Sequence, residues 1–348
     1  MAVQTPGPVR VAVLGAGRIG ANHAEIVARR VPGAELRAIA DPVPGAAERL
    51  ANELGVDVVS TDISATLRRD DIDAVVIAAP ARSHTDLVVE AAEAGKNIFV
   101  EKPMAVTLED ADRAIAAAES AGVVLQVGFN RRFAPGFAAA RAAVDEGRIG
   151  TPQLLRSLTR DPGPFGGDPA RTPPWTIFLE TLIHDFDTLC FLNPGAAPIR
   201  VHAMADALIR PDARSSGFLD TAVVTIAFEG GALATAEASF SALYGYDVRG
   251  EVFGSAGMIT AGSAASTDMV LYAADGMSVD TARRDTDLLR SAYIGEFTSF
   301  VDAIRSNTAA VVGGHDARVA LSIALAAIRS IETGAPVDVA DISVVGAR

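Results

Sequence analysis

The chain has 348 residues, 49% of them hydrophobic, and a formal net charge of -13; that is material for two domains with sizeable cores, and the charge, with no Lys/Arg run interleaved with aromatics, argues against nucleic acid and anionic membranes and for small-molecule partners. No apolar run approaches the roughly 18 residues of a membrane span, and residues 1–8 lack the charged and apolar regions of a signal peptide. The single Cys190 excludes an intramolecular disulfide and reads as a packed thiol, so a cytoplasmic location is expected.

In chain order, the apolar strand Val9–Leu14 ends in Gly15-Ala16-Gly17-Arg18-Ile19-Gly20, and a helical pattern follows over 21–30. This is a dinucleotide fingerprint in its proper context. Gly15 permits the tight turn, Gly17 lets the backbone approach a pyrophosphate and Gly20 allows close helix-to-strand packing, while Arg18 and Ile19 open a helix whose N-terminus faces the anion. Asp41 closes a second strand at 35–40, about twenty residues on, where its carboxylate suits the adenosine ribose hydroxyls and repels a 2′-phosphate. Pro42, Val43 and Pro44 offer no cation for such a phosphate, so NAD is favoured over NADP, Arg18 being the cation within reach of either.

A buried strand at 73–79 brings Ala79 and Pro80 to the carboxyl end where a cofactor is expected, with His84 in the loop beyond. A helix at 86–94 capped by Gly95, the strand Asn97–Val100, a helix from N-cap Thr107 to Ala121 and a strand at 123–127 continue the alternation. Strand and helix alternating with short loops specify a doubly wound parallel sheet for the first 130 residues.

Strand Asn97–Val100 runs directly into Glu101-Lys102-Pro103. Two opposite charges at the carboxyl end of a parallel strand stand where such sheets bind ligands. Lys102 is one of only two lysines, with Lys96, in a chain that otherwise writes Arg, and a compact ammonium approaches an alkoxide in a way a guanidinium does not. Glu101 reads as the acid that positions the lysine or the turn, and the bond to Pro103 is open to the cis form. A surface salt bridge before a turn is the bland alternative.

After Gly128 strands follow one another without helices between them, at 197–209, 221–229, 232–241, 247–253 and 258–260. They should pair antiparallel, with hairpin connections at 229–232 and 254–257, giving an open antiparallel-rich sheet covered by helices at 136–146, 179–191, 291–306 and 315–333. The division is thus a Rossmann domain over 1–130 and an α+β domain over 131–348, an α/β protein overall. A Pro/Gly-rich loop at 161–174 has the length of a functional loop.

Glu180, His184 and Asp187 fall four and three apart, one helix face if the helix is regular, so an acid can orient the histidine. No third ligand with metal-site spacing appears, and no metal is expected. Arg131-Arg132 suit an oxygenated substrate or a salt bridge, and Tyr244-Gly245-Tyr246-Asp247 offers hydroxyls that fit either a core or a substrate. No serine sits in a nucleophile elbow.

These segments resemble the glucose-fructose oxidoreductase and inositol dehydrogenase (Gfo/Idh/MocA) family over nearly the whole chain. The resemblance is carried by Gly15 to Gly20, Glu101-Lys102-Pro103, Gly128-Phe129-Asn130-Arg131-Arg132-Phe133, Arg160-Asp161-Pro162 and Thr181-Leu182-Ile183-His184-Asp185-Phe186-Asp187. Tyr244-Gly245-Tyr246-Asp247-Val248-Arg249 and Gly314-His315-Asp316-Ala317 look most like the inositol 2-dehydrogenase branch. The resemblance implies hydride transfer from a ring hydroxyl of a cyclic polyol or sugar to NAD, in a homotetramer or homodimer built through the second domain's sheet. It gives Lys102 the catalytic lysine's role, His184 that of general base, and Glu180 the place where the family usually has aspartate. Arg131, Asp161 and Tyr246 take substrate contacts. It leaves open a redox-neutral enzyme that holds NAD tightly for glycoside cleavage or epimerisation, and a non-catalytic NAD-bound regulator.

Overall fold

The computed structural model describes residues 7–163 and 172–342; most of the expected functional loop, residues 164–171, lies outside the described residues. The chain divides into two compact units, one of residues 1–130 and 291–318, the other of residues 131–290 and 319–348.

The first unit begins with β1 (Val9–Leu14), α1 (Arg18–Arg30), β2 (Ala34–Ala40), α2 (Ala46–Leu54), β3 (Val58–Ser60), α3 (Ile63–Leu67), β4 (Ala74–Ile77), α4 (His84–Glu93), β5 (Asn97–Val100), α5 (Leu108–Ala121) and β6 (Leu125–Val127). The six strands are all parallel, in the order β3-β2-β1-β4-β5-β6. Covered on both faces, β4 and most of β1 and β5 are buried without alternation, which is why they read as continuous apolar runs. Strand order reverses between β1 and β4, so the carboxyl ends of those strands flank the crevice where such sheets take a ligand. The short, half-exposed β3 carries no apolar run and escaped the sequence reading.

The second unit contains α6 (Pro135–Asp145), β7 (Pro152–Arg160), a π-helical turn at Ile177–Leu182, α7 (Ile183–Phe191), β8 (Pro198–Asp206), β9 (Thr221–Phe228), β10 (Leu233–Ser239), β11 (Asp247–Gly254), β12 (Gly257–Ser263), β13 (Ala265–Ala273), β14 (Gly276–Thr281) and α8 (Asp285–Leu288). Beyond α9 (Arg290–Ser306) and α10 (Gly314–Thr333), β15 (Val337–Asp338) and α11 (Val339–Ile342) complete it. Its sheet has the order β12-β11-β7-β10-β9-β8-β15, antiparallel throughout except for the parallel pair β7 and β10. The hairpin at 229–232 is present, with Gly230 and Gly231 at φ 78° and 94°. Sequence reasoning missed β7, at the centre of this sheet, and the separate β13-β14 ribbon.

The units meet at 130/131, and residues 291–318 group with the first of them. The physical reason is local. Phe297 and Phe300 of α9 lie 4.4 and 6.0 Å from the ring of Phe99, Gln126 donates to the carbonyl of Glu296 at 2.7 Å, and His315 and Arg318 pair with Glu119 and Asp112. Among the described residues no helix is long and apolar enough to cross a membrane.

Candidate cofactor and active site

In the first unit the glycine loop leaves β1 at Gly15, whose φ of 108° excludes most side chains and whose Cβ would stand 2.5 Å from the carbonyl oxygen of Ala78. A Cβ on Gly20 would come within 1.9 Å of the Gly15 carbonyl, whereas one on Gly17 would meet nothing within 4 Å. The first and third glycines therefore serve protein packing, and the second faces open space. Gly17 caps α1 without a side-chain hydrogen bond, leaving the first-turn N–H groups to an anion. Arg18 is exposed beside it and Ile19 half-buried. The cradle fits a dinucleotide pyrophosphate.

Asp41 ties this loop to the end of β2: its Oδ2 accepts the N–H of Ala16 at 2.7 Å and its Oδ1 that of Val43 at 2.8 Å. Each oxygen keeps a lone pair for a ribose hydroxyl. Ala79 and Pro80 follow β4 at the switch point, but His84 is not a nucleotide ligand through its ring. It is buried, with Nδ1 at 2.8 Å from the carbonyl of Pro103 and Nε2 at 2.7 Å from that of Ala79, so both nitrogens are spent on lashing the loop after β4 to the turn after β5.

That turn carries Glu101 and Lys102. The Lys102-Pro103 peptide is cis, Lys102 is half-buried, and its backbone N–H donates to Oε2 of the buried Glu101 at 3.1 Å. The other lysine has a structural post: Lys96 Nζ donates to the carbonyls of Arg69 and Ile72 at 2.7 and 2.9 Å. Glu101 is also held from a side the sequence reading left out, since His23 Nε2 lies 2.6 Å from its Oε1. Glu296 of α9, buried nearby, escaped notice, although a lone acid within the Tyr293, Phe297, Phe300 stripe of a helix is a signal a periodicity scan can find.

In the second unit Glu180 lies in the π-helical turn and His184 in the first turn of α7. The regular-helix face expected for Glu180, His184 and Asp187 is thus interrupted by a wide turn, a feature that recurs at functional sites. Glu180 is exposed and His184 half-buried. Asp187 has a second charged group as partner. It is buried and accepts from Arg132 through both oxygens at 2.6 to 3.1 Å. Arg131 likewise donates to Asp185 at 2.7 Å and to Thr159 at 2.5 Å, while Ser157 and Thr159 donate to the same carboxylate. Only 3% exposed, Arg131 has its terminal nitrogens committed to a buried network rather than to a substrate.

Asp161 is held differently. Half-buried just past β7, it is fixed by backbone bonds to Ser239 and Ala242, and its Oδ1 accepts from Gly163. Tyr246 stands in its field: burial first, then the carboxylate of Asp161, pushes the phenol well above the usual tyrosine value. Among the described residues the Tyr246 hydroxyl has no recorded hydrogen bond, whereas Tyr244 donates to Asp247 at 2.8 Å.

A family model described as the oxidoreductase family with an NAD-binding Rossmann fold matches residues 9–129, and the Gfo/Idh/MocA C-terminal domain matches residues 137–260. The chain belongs to the Gfo/Idh/MocA oxidoreductase family. The scyllo-inositol 2-dehydrogenase (NAD(+)) of Bacillus subtilis is 38% identical over 94% of this chain and 96% of its own. The myo-inositol 2-dehydrogenase of Thermotoga maritima is 36% identical over 93% and 96%. Among solved structures, scyllo-inositol dehydrogenase from Lactobacillus casei with bound NAD(H) and scyllo-inositol superposes with a TM-score of 0.88 at 28% identity, covering 96% of this chain and 99% of that one. As a Gfo/Idh/MocA member the protein is an NAD-dependent oxidoreductase acting on CH-OH groups.

Proposed function

We propose that this Gfo/Idh/MocA protein oxidises a ring hydroxyl of a cyclic polyol of the inositol class to a ketone. The observation that carries the reading is Lys102 at the carboxyl end of β5, on a turn braced by Glu101 and His84. The names of the relatives support the substrate class. When bound, NAD supplies the hydride acceptor. Lys102 donates a hydrogen bond to the reacting oxygen and stabilises the negative charge that grows there, and His184 takes the hydroxyl proton as the C–H hydride departs. Glu180 assists His184. Asp161 and Tyr246 orient the remaining hydroxyls, which suits a polar ring bearing donors and acceptors on every carbon.

The enzyme works as a homodimer or homotetramer through the outer face of the second unit's sheet. Leu233, Leu154, Phe253 and Met258 are aligned across β10, β7, β11 and β12 and are 56%, 50%, 48% and 56% exposed. An apolar row of that kind on a sheet face marks an interaction surface.

The test is to follow NADH absorbance across a panel of inositols, aldoses and glycosides, with product analysis. Net NADH with an inositol is expected. Product without net NADH replaces the reading with redox-neutral chemistry through retained NAD, and no product from any substrate overturns both. Lys102→Ala should lower kcat by about 10²–10³-fold with little change in NAD affinity, and turnover within a few-fold of wild type would remove Lys102 from the mechanism.

A further inference from the structure

Beneath the Glu101-Lys102-Pro103 turn, the first unit buries three ionisable side chains, two of which hydride transfer does not use. His23 of α1, Glu101 after β5 and Glu296 of α9 are 0%, 7% and 0% exposed, with one nitrogen and two carboxylate oxygens all within 4.8 Å of one another. The imidazole is packed by Phe99, Tyr293 and Phe297, ring centroids 5.7, 5.7 and 4.8 Å away. Glu101 is walled on another side by Gly128, where a Cβ would stand 3.2 Å from the carboxylate. Among the described residues, His23 Nδ1 and both oxygens of Glu296 have no hydrogen-bond partner.

Such a cluster demands a physical account, because a buried charge without partners is strongly disfavoured. Burial raises the Glu296 carboxyl well above the ordinary glutamate value, and the nearby Glu101 adds to the shift, so this acid stays neutral. Glu101 behaves oppositely. Burial works to raise it, but the hydrogen bond from His23, with the charges of His23, Lys102 and His84, overcomes that and holds it below its usual value. The cluster therefore keeps one carboxylate charged and one neutral.

We propose that His23 is a positioning residue for Lys102: its Nε2–H holds one oxygen of Glu101 at 2.6 Å, the other oxygen holds the backbone N–H of Lys102 at 3.1 Å, and Glu296 closes the cluster. The aim of the lysine is thereby set from α1, the helix that opens with the glycine loop, so the side chain acting on the substrate and the groove for the pyrophosphate share one rigid frame. A shared metal ion fits the geometry less well. Two ligands at tetrahedral bonds of about 2.1 Å lie roughly 3.4 Å apart, whereas Nε2 and Oε1 are 2.6 Å apart, at hydrogen-bond distance.

The catalytic consequence rests on the dehydrogenase reading, so the test includes a measurement that needs no substrate. With only two lysines in the chain, selective ¹³Cε-lysine labelling gives two lysine signals by NMR, and the carbonyl-bound Lys96 serves as the internal reference for Lys102. Gln carries its amide nitrogen near the place of Nε2 and Asn near that of Nδ1. His23→Asn should shift the Lys102 signal and lower kcat by about ten- to a hundredfold with the KM for NAD within a few-fold, and His23→Gln should restore both. A merely structural histidine predicts equal damage from Asn and Gln. Equal effects of the two, an unmoved Lys102 signal, or a stoichiometric metal bound through His23 would overturn the inference. Where His23→Asn fails to fold, Glu101→Gln takes its place and should shift the same signal. A wild type inactive on every polyol refutes the dehydrogenase reading, and the NMR comparison alone then decides this one.

Discussion

Glu296 shows how much one buried group can tell about stability. In the unfolded chain its carboxyl ionises near 4.5, and in the folded protein well above that value. Between those two values the folded state holds the extra proton, so the stability contributed by this group falls as pH rises above about 4.5 and levels off once pH passes the folded value. Glu296→Gln, neutral and of the same shape, removes that slope. The variant should gain on wild type in urea midpoint as pH is raised from about 5 to about 8; a constant difference would mean that the carboxyl ionises normally. Asp41 makes the contrasting case, a carboxylate that works because it is charged. Asp41→Ala should weaken NAD about tenfold through lost charge-assisted bonds and narrow the discrimination against NADP, as read by fluorescence titration of both nucleotides. An unchanged NADP/NAD ratio would assign the selectivity elsewhere.

At the scale of elements, Arg131 and Arg132 bind Asp185 and Asp187 on the turn between β6 and α6 and on α7. Of the two roles open to this pair in the sequence, oxygenated substrate or salt bridge, the structure shows the ion pairs, buried as internal struts of the second unit. Asp187→Ala removes the buried carboxylate that Arg132 binds through both oxygens and should cost about 3–5 kcal/mol in urea unfolding, while Arg132→Met with Asp187→Leu should cost much less; a single replacement costing under about 1 kcal/mol would contradict the strut role. The same network explains why β7 was illegible. Its inward residues include Ser157 and Thr159, buried at 0% and 1% because Asp185 satisfies them, so the alternation of apolar and polar residues that marks a half-buried strand is erased. The first sheet was legible because its strands are buried on both faces and punctuated by glycine and proline. Lys102 and the glycine loop announced themselves by type and position. The π-helical turn did not, since nothing in Ile177 to Leu182 departs from an ordinary helical pattern, and His23 and Glu296 join Glu101 only through the tertiary fold.

For the whole molecule, the apolar row on the second sheet makes assembly a measurable quantity. Leu154→Lys with Phe253→Asp should lower the mass seen by light scattering toward that of a single chain, with the melting of the separate subunits otherwise intact; an unchanged mass would place any interface on another face. The net charge of -13 keeps the rest of the surface from associating unselectively. The division of the chain also has an outcome during synthesis. Residues 7–130 leave the ribosome first, yet the partners of Phe99 and His23, the rings of Tyr293, Phe297 and Phe300, arrive only after residues 131–290 have been made. The nucleotide-binding unit is thus begun before residues 131–290 and finished only after them. Until α9 emerges, the nascent first unit exposes the aromatic face of Phe99 and His23 that α9 will cover, so its core closes only once α9 is made.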